Sequence, residues 1–119
     1  MEFVIKDAVK LNDGRYSGTI TRVGYRSEPY EYTDVYIKEE KSGLELKYGC
    51  PSNVVKDSKL GKLLSQFTDL KVGEKIDPEK VLVNKQVEFM VLNEKTDKGV
   101  FARIVDNSIR PTVKEEKVN

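Results

Sequence analysis

The sequence predicts an all-β domain in which five strands curl into a small barrel, with one α-helix between the third and fourth strands. Three observations predict it. Runs such as Asp34–Glu40 (DVYIKEE) and Gln86–Asn93 (QVEFMVLN) alternate apolar and polar residues, the period of a strand buried on one face. Only Lys56–Leu70 (KDSKLGKLLSQFTDL) carries a helical period, with Leu60, Leu63, Leu64 and Phe67 at i, i+3, i+4 and i+7. Three strand-like runs precede that helix and two follow it. A single helix so placed can lie across the open end of a strongly curved sheet and bury its stripe there.

Taken in order, residues 1–12 read as an N-terminal arm or short edge strand. Asn12-Asp13-Gly14 is a turn signal that opens the domain proper, residues 13–111. Arg15–Arg26 (RYSGTITRVGYR) reads as a long first strand of sheet-forming residues. Its alternation is imperfect, since Ile20 and Val23 have opposite parity. Gly18 and Gly24 are the positions where a bulge or sharp coil is expected. Ser27–Thr33 is a loop marked by Pro29. In the second strand Val35 and Ile37 face one way, and Asp34, Tyr36 and Lys38 the other. Lys41-Ser42-Gly43 is a tight turn into Leu44–Cys50 (LELKYGC), where Leu44, Leu46, Tyr48 and Cys50 share the core parity and Glu45, Lys47 and Gly49 the opposite one.

Ser58 suits the helix N-cap, with Asp57 adding negative charge beside it. Gly61 breaks the helical rule at a cost of about 1 kcal/mol against alanine, which points to close backbone packing. After the helix, Asp77-Pro78-Glu79 offers an N-cap and a proline at the first helical position, and EKVLV is expected to form one turn that packs Val81 and Leu82 on the core. Val87, Phe89 and Val91 alternate along the fourth strand. Glu94–Gly99 reads as a polar loop and Val100–Ile109 as the last strand. Arg110-Pro111 closes the domain, and residues 112–119 read as a charged flexible tail.

Composition narrows the function classes. A chain of 119 residues with net charge +1 and 34% charged residues is one domain with interspersed charge, so any nucleic-acid binding must come from a local patch. One cysteine allows no internal disulfide, no apolar run is long enough for a membrane span, and the N-terminus lacks a signal peptide's apolar core. A cytoplasmic, reducing location is expected. Histidine is absent, which removes the commonest general base and metal ligand. With no P-loop, G-x-S-x-G or C-x-x-C, the expectation is a protein that is not an enzyme and needs no cofactor or metal. Cys50 is expected to be a buried structural thiol.

The strand–helix order resembles an OB-fold, a five-stranded Greek-key barrel. Longer stretches carry a closer likeness: DGRYSGTITRVGYRSEPYEYTDVYI, then LELKYGCPSN, SKLGKLL, and DPEKVLVNKQVEFMVLNEKTDKGVFARIVDNSIRP. Over Asp13–Pro111 the chain resembles the small OB-fold proteins of phages, plasmids and archaeal mobile elements, including single-stranded DNA-binding proteins. That resemblance implies binding on the face of the second and third strands. Single-strand binding needs cations for phosphates and planar groups on which bases stack. Arg22 and Arg26 from the first strand, Tyr30 and Tyr32 from the loop after it, Tyr36 and Lys38 on the second strand, Lys47 on the third, and Lys95 and Lys98 in the last loop supply both. Tyr16 and Tyr48 are expected in the core and the helix lysines on a solvated face. The implied partner is single-stranded DNA or RNA, bound without sequence preference in replication, recombination or repair, with replication or recombination proteins beside it and no membrane. Glu28, Glu31, Asp34 and Glu45 lie among the cations and oppose phosphate. They keep open an alternative, a non-enzymatic adaptor that binds protein in a mobile-element or replication complex.

Overall fold

Strand β1 (Gly14–Arg26) is shared by both halves of the molecule: Gly14–Thr19 pair with β4 (Gln86–Thr96), and Gly18–Arg26 pair with β2 (Tyr32–Glu39). The computed structural model describes residue 2 and residues 11–112. Its remaining elements are β3 (Glu45–Pro51), α1 (Lys59–Leu64), α2 (Pro78–Leu82), β5 (Gly99–Ile104) and β6 (Arg110–Pro111). The strands form one antiparallel sheet in the order β3-β2-β1-β4-β5, with the two-residue β6 paired to β4. The outer strands β3 and β5 approach one another, but no hydrogen-bonded ladder joins them. The N-terminal arm and the charged tail fall outside the described residues, apart from residues 2, 11, 12 and 112.

The expected bulge is present, but at Thr21 rather than at either glycine. Ile20 pairs with Ile37 and Arg22 with Tyr36, so Thr21 is the extra residue. The bulge resolves the broken alternation. Without it Ile20 and Arg22 would share a face; with it Ile20 and Val23 both turn inward and Arg22 turns out. Backbone bonds from Asn84 and Lys85 meet Ile20 on its other edge (Asn84 N–H to Ile20 C=O, 2.7 Å; Ile20 N–H to Lys85 C=O, 2.9 Å) and seat the entry into β4. Asn84 turns the chain with φ 72°.

The main helix departs from expectation in being shorter than its stripe: α1 covers only Lys59–Leu64, while the single turn expected after Asp77-Pro78-Glu79 is present as a second short helix, α2. Ser58 Oγ accepts the Gly61 N–H (2.9 Å) and starts α1 as expected. At the other end the Ser65 hydroxyl donates to Lys62 C=O (2.9 Å), and Gln66 and Phe67 donate to carbonyls three residues back, which tightens the chain out of the α-helix. Leu60, Leu63 and Leu64 are buried, whereas Phe67 is only half-buried. In α2, Asp77 caps the Glu79 N–H (3.1 Å) with Pro78 following it, and Leu82 is buried while Val81 is partly so.

The core joins these leucines to Ile20, Val35, Ile37, Val87, Phe89 and Val91 from the sheet. Each buried aliphatic or aromatic side chain contributes about 1.5–3 kcal/mol. Tyr48 and Cys50 are buried, and Leu11 from beyond the domain's expected start belongs to the same core. Tyr16 packs against its edge. One further expectation fails: Glu94–Gly99 is not a loop. β4 runs on to Thr96, which pairs with Gly99, leaving Asp97-Lys98 as a two-residue hairpin turn. The fifth strand stops at Ile104 instead of Ile109, Val105–Ser108 form a turn whose Ser108 hydroxyl donates to Val105 C=O (2.6 Å), and the chain then returns to β4 as the two-residue β6, a sixth strand beyond the five expected. Among the described residues, no helix is long and apolar enough to cross a membrane.

Candidate nucleic-acid interface

The outward face of β1, β2 and β3 is set by register. Arg22, Gly24 and Arg26 on β1 stand opposite Tyr36, Asp34 and Tyr32 on β2, which in turn stand opposite Lys47, Gly49 and Pro51 on β3. The three tiers therefore read Arg22–Tyr36–Lys47, Gly24–Asp34–Gly49 and Arg26–Tyr32–Pro51. Directly opposed side chains on one sheet face are close enough to interact. The two glycines of the middle tier leave room for the rings beside them: Tyr36 leans over Gly24 and Tyr32 over Gly49.

Each arginine is stacked and bridged. The Arg22 guanidinium lies 3.7 Å from the Tyr36 ring centre, and that of Arg26 lies 4.8 Å from the Tyr32 ring centre. Arg22 donates through Nε and Nη2 to the two oxygens of Glu45 (3.4 and 3.1 Å), and the Thr21 hydroxyl donates to the same carboxylate (3.0 Å). Arg26 donates through Nε and Nη2 to Asp34 (2.6 and 3.0 Å).

The two pairs look alike and differ in burial. The Asp34 side chain is 2% exposed, whereas those of Arg22 and Glu45 are 58% and 38% exposed. A buried carboxylate needs its partner, since an unpaired buried charge is costly. Arg26 therefore serves the fold as well as the surface. The hydrogen bonds from Arg22 and Thr21 hold the Glu45 carboxyl below its ordinary range, and the bonds to Glu45 and to Asp34 hold the Arg22 and Arg26 guanidinium groups, respectively, above theirs.

The nine sequence-predicted residues separate into two groups. Arg22, Arg26, Tyr32 and Tyr36 form the stacked cluster just described. Lys47 completes its first tier and is exposed. Lys38, also exposed, lies opposite Glu45 one step along β2. Tyr30 is 72% exposed in the 27–31 loop that follows β1, beyond the Arg26 tier. Lys95 and Lys98 belong to the β4–β5 hairpin. Gly14 at the start of β1 pairs with Val91, so the hairpin tip extends past that start, while the 27–31 loop follows the other end of β1.

Sequence reading treated Asp34 and Glu45 as charges that oppose a ligand. It missed that they bridge the arginines, and it missed Thr21. The signal was the cross-strand register, which depends on where the bulge falls. It also left Lys59 on a solvated face, whereas Lys59 pairs with Asp106 (3.0 Å) and sits 4.4 Å from the Tyr48 ring centre. Burial pushes the Cys50 thiol up to about 12, in keeping with a packing residue. Among the described residues, no cluster of three or more acidic, cysteine or histidine side chains could hold a metal ion. No protein-family model matches this chain, and no curated protein matches it in sequence, so the geometry of the face carries the functional reading.

Proposed function

We propose that this protein binds single-stranded nucleic acid, single-stranded DNA first, across the outer face of β1, β2 and β3, and that its architecture is an OB-fold barrel. The observation that carries the reading is the Arg22–Tyr36 stack with exposed Lys38 and Lys47 beside it. A guanidinium plane or a tyrosine ring is a stacking platform for an unpaired base, and the lysines meet the phosphates. Four cations (Arg22, Arg26, Lys38, Lys47) stand against two carboxylates (Asp34, Glu45) on this face, so it is positive where the whole chain is nearly neutral. Stacking does not read base edges, so binding is sequence-tolerant. The strand order, with β3 and β5 approaching at the two ends of the sheet, supports a Greek-key barrel that closes between them. In this reading the protein is a cytoplasmic binding protein of replication, recombination or repair, working by binding alone. The adaptor reading draws on a different surface: Leu92, Val100 and Phe101 on the β4–β5 hairpin are each about half exposed.

Fluorescence anisotropy with labelled oligothymidine at two salt concentrations tests the proposal. Tyr36→Ala is expected to weaken binding by about 1–3 kcal/mol with the fold intact. Lys38→Ala and Lys47→Ala are each expected to flatten the salt slope by about 0.7 in log–log units. Duplex of the same length binds more weakly. No binding by folded wild-type protein at low salt would overturn the reading and leave the adaptor in its place.

A further inference from the structure

We infer that the Glu45 carboxylate occupies a phosphodiester site formed by Arg22, Thr21 and Lys38, and that nucleic acid binds there by displacing it; this rests on the nucleic-acid reading above. Glu45 takes three hydrogen bonds, two from the Arg22 fork and one from the Thr21 hydroxyl. Lys38 stands opposite it across the β2–β3 ladder, and its charge acts on the same carboxylate. A guanidinium fork and a hydroxyl converging on one oxyanion, with an ammonium on the neighbouring strand, are the donors that a phosphate takes, and the fork matches carboxylate and phosphate alike. The bulge builds the site: Thr21 is its extra residue, and the register shift turns Arg22 onto the same outer face as Glu45.

Exposure makes the exchange cheap. An exposed ion pair of this kind is weak, so releasing it reduces affinity by no more than about fivefold. The neighbouring Arg26–Asp34 pair cannot exchange in this way, because Asp34 is buried and would be left unpaired. Two pairs of the same chemistry thus have opposite roles. Asp34 fixes an arginine, and Glu45 competes for one. Glu45 lowers the affinity of the face by a small factor, and a ligand that also stacks on the neighbouring ring offsets that loss.

The sign of one substitution tests this. Wild type and Glu45→Gln are titrated with a labelled oligothymidine of about twelve nucleotides, within the span of one OB-fold. Glu45→Gln is expected to tighten binding about three- to fivefold at low salt with the salt slope little changed, since Arg22 meets a phosphate in both proteins and in the variant no longer has to leave Glu45. If Glu45 only braces Arg22, Glu45→Gln leaves affinity unchanged or weakens it, and the inference is overturned. Thr21→Val in the Glu45→Gln background is expected to return part of the gain; no change there would remove the hydroxyl from the site and overturn the three-donor assignment. If neither wild type nor Glu45→Gln binds while both are folded, the nucleic-acid reading itself falls, a result distinct from the others.

Discussion

Gly61 sets two rules of physical chemistry against each other. It lies in the middle of α1, where alanine is favoured over glycine by about 1 kcal/mol. Propensity alone predicts that Gly61→Ala stabilises the protein. The structure predicts the reverse. A Cβ at this position would fall well inside the van der Waals radius of the Val55 carbonyl oxygen, too close to the carbonyl carbon as well, and against Ser58 Oγ. Nor is the Val55 carbonyl free to move. It accepts the Ser58 N–H (3.0 Å) and the Ser58 hydroxyl (2.8 Å), and that hydroxyl is the one that caps the helix through the Gly61 N–H. Overpacking of this kind costs about 1–3 kcal/mol. Each hydrogen bond disturbed adds about 0.5–1.5 kcal/mol. Set against the gain of about 1 kcal/mol in propensity, the net loss is about 2–3 kcal/mol. That corresponds to a fall in Tm of roughly 8–20 °C for a domain of this size. Urea melts followed by circular dichroism measure it. A Gly61→Ala variant as stable as wild type would show that the Val55 segment yields freely, and the close approach would no longer explain the glycine.

Two further outcomes are expected. Leu64→Ala and Leu63→Ala remove side chains that are 0% and 4% exposed, so each should cost about 2–5 kcal/mol in chemical denaturation; losses below about 0.5 kcal/mol in both would show that α1 does not seal the core. Glu39 governs part of the acid response: burial pushes its carboxyl up, but the Ser42 hydroxyl and the N–H groups of Lys41 and Ser42, with the Lys41 charge, outweigh that and leave it below its ordinary range. A folded carboxyl held below its unfolded range stabilises fully above about pH 5, and the contribution is lost as pH falls through the folded value. Glu39→Gln should therefore be less stable near neutral pH and show a shallower fall in stability between about pH 5 and 2. An unchanged pH profile would refute the turn-capping role.

The sheet was legible where a strand buries one face. Val35 and Ile37, and then Val87, Phe89 and Val91, alternate without a break, and the structure buries each of them. β1 was harder because its pattern changes phase at the bulge, and nothing local marks Thr21 as the extra residue; the phase is set by which residues of β2 it must face. The limits of α1 were illegible for a related reason. Its apolar stripe continues to Phe67, but Ser65 bonds back to the helix and ends it at Leu64. Periodicity reports which residues point inward, not where the backbone bonds change. The hairpin after Asn93 was misjudged because Glu94–Thr96 are polar on both faces, and alternation carries no signal once a strand has left the core.

The candidate site was legible in its residues and not in its pairings. Tyr36 and Lys38 were assigned to the outer face by parity alone, and they lie there. That Arg22 stacks on Tyr36 and Arg26 on Tyr32 follows only from the antiparallel register, in which residues four apart on β1 meet residues four apart on β2 in reverse order. Once that register is fixed, the acids take different meanings from position alone. Asp34 falls between two glycines and is roofed by its neighbours, so it is buried and must stay paired. Glu45 falls near the start of β3 with Lys38 across from it, so it stays wet and can let go. A charge count treats both as equal opposition to a polyanion. Burial separates them, and it makes the affinity of this face depend on which of its two carboxylates a ligand has to move.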